Sequence, residues 1–187
     1  MKICWRGFNH YLVPIMVLAL LCGCQTPERK RKQAITSIRL HLEAHPDPTG
    51  RTEVVAVHQN PLVQMSVDKT PFLTDADLQS AKLIEVVGGY AVKLQFDKKG
   101  TWILEEYTSG NLGSHLVIFC QFPELPEYKL NHGRWLAAMK ISARIGDGSL
   151  VFAPDATREE TELIVLGLNH VAKELGNATP ERSYSDQ

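Results

Sequence analysis

The sequence predicts an α+β domain in which two main helices pack on one face of a mostly antiparallel sheet. Three observations predict this fold. Short segments with apolar residues at alternate positions recur along the chain, separated by turns rich in glycine and proline. Two longer segments instead combine helical spacing with a helix start signal. Because tight turns join neighbouring strands, those strands run antiparallel, which points away from a parallel α/β fold.

The first part of the domain is predicted to consist of strands. Residues 38–44 alternate apolar and polar side chains, as a half-buried strand does, and residues 45–50 (HPDPTG) form a turn. Residues 52–58 are predicted to pair with residues 38–44 as a hairpin, and residues 63–67 form a third strand.

A short helix and a hairpin follow. Thr74 is the candidate N-cap of the short helix, which has Asp77 at its third position. Residues 82–87 and 90–96 flank the pair Gly88-Gly89. Because type I′ and II′ turns require positive φ, two glycines between alternating apolar runs predict a β-hairpin.

The first main helix precedes a buried strand. Asp97 can cap a helix that runs to about Ser109. Residues 116–122 are almost continuously apolar, which predicts a central strand covered on both faces. Residues 123–133 contain two prolines and are predicted to be a loop, and residues 135–145 a long strand.

The C-terminal part contains the second main helix. A short strand is predicted at residues 150–152. Thr157 and Glu160 form a capping box for a helix that ends near Leu175, with Gly176 at its C′ position. Residues 177–187 are polar and are predicted to be a disordered tail.

The N-terminus has the three parts of a bacterial lipoprotein signal peptide. A basic start precedes the apolar run LVPIMVLALL, which is about half as long as a membrane span. Leu21 lies three positions before Cys24, and the small residue Gly23 directly before it. The sequence therefore predicts cleavage between Gly23 and Cys24 and lipid attachment to the Cys24 sulfur. The alternatives are an ordinary signal cleaved elsewhere and an anchor helix that is retained.

Processing would leave a chain of one-domain size. Removing residues 1–23 leaves 164 of 187 residues, with 18 basic and 21 acidic side chains and a net charge of −3. This length fits one domain with a sizeable core, and the charge excludes the basic profile of nucleic-acid-binding proteins. Residues 24–34 are polar and contain the basic cluster RKRK, so they are predicted to be a tether. The cluster is either solvated linker or a segment attracted to anionic headgroups.

No catalytic, cofactor-binding or metal-binding motif stands out, and no small-molecule substrate is indicated. Cys120 ends the apolar run LVIFC and is predicted to be a buried core residue. Asp75 and Asp77 are explained by a helix N-terminus, where the macrodipole favours acidic groups. The histidines after the signal peptide lack zinc-ligand spacing: His41, His45, His58, His115, His132 and His170. A cell-envelope enzyme that uses Cys120 or histidines is the alternative to a binding protein.

Aromatic residues are the candidates for contact with another protein. Trp102 and Tyr107 lie on the first main helix, and Trp135 follows the proline-containing segment. Most aromatic side chains are core residues, and an exposed subset of these three would form an apolar contact patch.

Several segments between residues 71 and 176 follow one another in the order known from one family. They are LTDADLQSA at 73–81, VKLQF at 92–96, Lys99-Gly100, Tyr107-Thr108, GSHLVI at 113–118, ISARI at 141–145 with Gly148, and the helix over residues 157–168. In this order they resemble the periplasmic P1 head subdomain of SecD, an RND-type protein-export membrane protein. Residues 35–70 would add N-terminal strands to this head-like domain.

The resemblance implies a non-catalytic α+β module that contacts exported chains. SecD proteins also carry transmembrane helices whose charged residues couple proton flow to export, and no apolar segment of that length follows Leu21 here. Motor activity is therefore not carried over. We expect a periplasm-facing module that binds the membrane through lipid on Cys24 and has exported or envelope proteins as partners. Gln25, rather than aspartate, follows Cys24, which favours the outer over the inner membrane.

Overall fold

The computed structural model describes residues 36–57, 62–124 and 129–178, including the side chains of all of these except residues 123–132. Its elements follow in chain order: β1 (Ser37–Leu42), β2 (Thr52–Val57), β3 (Val63–Asp68), β4 (Leu73–Thr74), a 3-10 turn (Asp75–Asp77), β5 (Leu78–Val86), β6 (Gly89–Phe96), α1 (Lys98–Gly110), β7 (His115–Glu124), β8 (Lys129–Lys140), β9 (Ser149–Phe152) and α2 (Arg158–Glu174). In these ranges no helix is both long enough and apolar enough to cross a membrane.

The larger sheet has four antiparallel strands in the order β4-β1-β7-β8. β1 lies inside this sheet and pairs with β7 along its whole length, from Ser37 to Leu42. The predicted hairpin of residues 38–44 with residues 52–58 is therefore wrong, because β2 pairs with β3 instead. β1 buries Leu40 on one face and His41 on the other, so its partner is the equally buried β7 rather than the nearest strand in sequence.

β7 confirms the central strand predicted at residues 116–122, because it lies between β1 and β8. The loop predicted at residues 123–133 is wrong, since β7 continues to Glu124 and β8 begins at Lys129. The ladder shifts register between Phe122 and Glu124. Pro123 lies at this irregularity, where a residue without an N–H is tolerated in a strand.

The strand predicted at residues 135–145 is shorter at its C-terminal end than expected. β8 ends at Lys140. The next residue, Ile141, donates its N–H to Ser114 O (2.9 Å) and accepts from Gly113 N (2.8 Å). These bonds hold the chain against the loop before β7, so it leaves the sheet although ISARI has strand-like alternation.

The smaller sheet has three antiparallel strands in the order β5-β6-β9. The predicted hairpin is confirmed, although its turn is formed by Val87 and Gly88 (φ +89°), and Gly89 already pairs with Val86 as the first residue of β6. β9 confirms the short strand predicted at residues 150–152 and pairs with β6.

The short helix predicted after Thr74 is confirmed, as a 3-10 helix of three residues in which Asp77 is the third. Thr74 does cap it, since Thr74 Oγ1 accepts from Ala76 N at 3.3 Å. The turn ends because Asp77 O accepts the N–H of Asp97 (3.0 Å) and Leu78 enters β5 at once.

Both main helices begin at the residues predicted from the sequence. Asp97 Oδ1 accepts from Gly100 N (2.7 Å) at the start of α1. Thr157 and Glu160 form the reciprocal bonds of a capping box at the start of α2. Gly176 follows α2 with φ +75°, the left-handed conformation expected at C′.

The main core is formed by both sheets and both helices. It contains Ile38 and Ile118 from the larger sheet, Leu94 from the smaller one, and Leu104 and Leu168 from the helices, all fully buried. The opposite face of the larger sheet is covered by the β2–β3 ribbon. The α+β prediction, with helices on one face of a mostly antiparallel sheet, is confirmed.

Candidate interaction surfaces

The Cys120 thiol is enclosed in the main core. Its side chain is fully buried on β7, and its Sγ donates a long hydrogen bond of 3.9 Å to Gln121 O. Burial raises the pKa of the Cys120 thiol far above its ordinary value, because a thiolate would be desolvated there. This environment keeps the sulfur protonated and away from solvent. A catalytic cysteine needs the reverse, an accessible thiolate.

We expect Cys120 to resist alkylation in the native protein. Iodoacetamide at neutral pH should leave it unmodified, because the neutral thiol reacts slowly and no solvent reaches it. In denaturant it should react to completion. Peptide mass mapping at Cys120 measures both states, and rapid labelling of the native protein would restore the enzyme alternative.

Three of the described histidines have identified polar neighbours, each a different residue. His41 is buried, and its Nδ1 donates to Asp68 O at 2.8 Å. His115 Nδ1 lies 2.7 Å from Glu43 Oε2, and this hydrogen bond holds the pKa of Glu43 below its ordinary value. His170 lies 3.7 Å from Glu174 on α2. Within the described ranges, no group of three or more potential metal ligands comes together.

Asp75 and Asp77 have separate structural contacts. Asp75 Oδ1 accepts from Ser37 Oγ (3.0 Å) and Ile38 N (3.2 Å), which fixes the start of β1. Asp77 is buried and accepts from Lys99 Nζ at 2.7 Å. The two carboxylates therefore each hold a neighbouring element in place.

Of the three predicted contact residues, Trp102 is the most exposed. Its side chain is 66% exposed on the outer side of α1. Tyr107 is 37% exposed and stacks on Phe72, with ring centroids 4.4 Å apart and planes 13° from parallel. Leu112, just after α1, is 60% exposed. α1 thus presents apolar surface that the core does not use.

Trp135 lies apart from this surface. It is half-buried on the other face of the larger sheet, against the small cluster that the β2–β3 ribbon covers. Its ring centroid is 5.0 Å from that of His41 and 5.1 Å from that of Phe119. The structure therefore does not bring Trp135 together with Trp102 and Tyr107. Gly23 and Cys24 lie outside the described residues, so the lipidation site stays a prediction.

The outer edge of the smaller sheet, along β5, was not predicted from the sequence. Val86 is 40% exposed at the end of β5, and Val87 is fully exposed in the turn that it forms with Gly88. Lys82 on β5 lies directly opposite Lys93 on β6. Two valines before a glycine turn could have signalled an exposed apolar tip, whereas the lysine pair depends on the register of the two strands.

The two sheets, the ribbon and the two helices define a domain with a SecD-like fold. One similar solved structure is SecDF, described as a membrane component that enhances protein export. It shares 21% identity over 80% of this chain and 71% of that chain, with a TM-score of 0.53. SecDF in a super-membrane-facing form shares 20% identity over 79% of this chain and 21% of that chain, with a TM-score of 0.52. No family model and no curated protein matches the sequence. Likeness at this level of identity shows the fold.

Proposed function

We propose that this protein is a lipid-anchored accessory module of the bacterial cell envelope, which contacts exported or envelope proteins and catalyses no reaction. The observation that carries the proposal is the likeness of its fold to SecDF, a membrane component that enhances protein export. The lipoprotein signal at residues 1–23 supports a location at the membrane surface, facing the periplasm. Gln25 supports the outer membrane as the site of the anchor.

The arrangement of side chains supports a binding role over the enzyme alternative. Cys120 is enclosed and its pKa is raised, while His41 and His115 have structural hydrogen bonds. Exposed apolar side chains, in contrast, occur on α1 and at the β5–β6 tip. Exposed apolar groups that the core does not use are typical of protein contact sites when they lie together.

Trp102 is the proposed contact residue on α1. A tryptophan with 66% of its side chain exposed makes little contribution to the domain core. The same side chain would contribute strongly to an interface, because tryptophans are frequent among the residues that dominate binding energy.

Capture of crosslinked partners from the cell envelope tests this proposal. The full-length native chain should recover a specific envelope or exported protein, and Trp102→Ala should lower that recovery several-fold. Leu175→Ala is the matched control, because it removes an apolar side chain that is exposed at the far end of α2. Its recovery should equal that of the native chain. Recovery of abundant envelope proteins alone, unchanged by Trp102→Ala, would contradict the proposal.

A further inference from the structure

The outer edge of β5 has a defined set of outward-pointing backbone groups. β6 lies between β5 and β9, and Phe96 N donates to Gly148 O (3.0 Å), the residue just before β9. In an antiparallel sheet, alternate residues of a strand bond to opposite neighbours. Leu94, Val92 and Tyr90 therefore direct their backbone groups toward the β9 side. The residues between them on β6, Ala91 and Lys93, bond to β5.

The register then assigns the edge residues of β5. Ala81, Leu83 and Glu85 lie opposite Leu94, Val92 and Tyr90. Because those β6 residues bond away from β5, the N–H and C=O groups of Ala81, Leu83 and Glu85 point outward.

Asn169 of α2 occupies the first of these positions in the way a neighbouring strand would. Ala81 N donates to Asn169 Oδ1, and Asn169 Nδ2 donates to Ala81 O, both at 2.8 Å. The side-chain amide of Asn169 thus supplies the same donor and acceptor that a backbone peptide group of a neighbouring strand would supply. Beyond it, no partner for the outward groups of Leu83 or Glu85 occurs within the part of the chain that the structure describes.

Of the charged side chains on this edge, Glu85 pairs with Arg158 at the start of α2, at 2.6 Å. Lys82 and Lys93 are cross-strand neighbours on one face, and like charges in this position repel. Among the described residues, neither lysine has a carboxylate within ion-pair distance. Ile84 and Val86 lie on the same face as Lys82, because side chains alternate along a strand, and Val86 is 40% exposed.

The geometry points to an extended polypeptide segment of a partner protein as the occupant of this edge. The segment adds as a strand beside Leu83 and Glu85, places an acidic side chain next to Lys82, and places apolar side chains next to Ile84 and Val86. Backbone bonding supplies affinity in this mode, and alternate side chains supply specificity. The inference rests on the protein-contacting role proposed above and names its binding mode.

A designed peptide provides the probe. In a seven-residue peptide, two valines and a glutamate occupy alternate positions with threonines between them. It should bind the full-length chain in detergent and slow hydrogen exchange at the amides of Leu83 and Glu85. N-methylation of the peptide amides that face β5 should weaken binding by roughly tenfold or more, because each removes a backbone hydrogen bond. N-methylation of the amides that face away is the matched control and should leave the affinity unchanged.

Charge reversal provides a second readout. Lys82→Glu should weaken binding of the glutamate peptide by roughly fivefold and favour a peptide with lysine at that position. Lys98→Glu, an equal charge change on the exposed start of α1, should have no effect.

Equal effects of both N-methylated peptides, or unprotected Leu83 and Glu85 amides at saturating peptide, would overturn the inference. That failure is distinguishable from failure of the proposed function, because capture through Trp102 would persist when only the edge mode is wrong.

Discussion

Cys24→Ala is expected to abolish lipid attachment. The transferred diacylglycerol is joined to the cysteine sulfur, so alanine at this position offers no atom to modify. Labelled palmitate should enter the native chain and be absent from the variant, as read by gel autoradiography and by the mass of the N-terminal peptide. The effect is large because each buried methylene of an acyl chain contributes about 0.8 kcal/mol to membrane binding, and two or three chains are lost together.

The adjacent cysteine supplies the control for this experiment. Cys22→Ala keeps a small residue within the same recognition sequence and should retain the label. Palmitate-free native protein would indicate an ordinary signal cleaved elsewhere. Separation of inner and outer membranes on the same samples tests the location that Gln25 favours.

Leu104→Ala is expected to cost about 2–5 kcal/mol of unfolding free energy. Leu104 is fully buried on α1 and belongs to the cluster formed by both sheets and both helices. Truncation removes apolar contacts and leaves a cavity that the surrounding strands cannot fully close. Urea unfolding of the full-length chain in detergent, followed by tryptophan fluorescence, measures the change.

Leu112→Ala is the control for the loss of the same side chain at an exposed position. Leu112 is 60% exposed just after α1, so its truncation should change the unfolding free energy by about 0.5 kcal/mol or less. Equal losses in the two variants would contradict the assignment of α1 to the core.

The helix starts and the hairpin were predicted correctly, because each depends on residues that are close together in the sequence. Asp97 and Thr157 cap their helices through residues three positions away, and Gly88, with φ +89°, lies in the turn of the hairpin between β5 and β6. Each of these outcomes is decided within a few residues. The sequence therefore contains the whole signal, and the α+β class follows from adding such signals together.

Strand partners were predicted less well, because pairing is decided by distant parts of the chain. The turn at residues 45–50 suggested a hairpin of the two nearest strands, yet β1 pairs with β7. β8 ends at Lys140 because Ile141 bonds to residues before β7, which alternation within ISARI does not reveal. For the candidate surfaces, the sequence identified the aromatic residues. Separating Trp135 from Trp102 required knowledge of which face of the sheet each occupies.

The position of β1 has a consequence for when the domain becomes folded. β1 is the first strand after the predicted anchor, and its partner across the sheet, β7, extends to Glu124. When the chain emerges with its N-terminus first, β1 therefore stays unpaired until most of the domain has followed. Such long-range pairing slows folding, because a large loop must close before the contact forms. The larger sheet of the domain is therefore completed late, only after β7 has emerged.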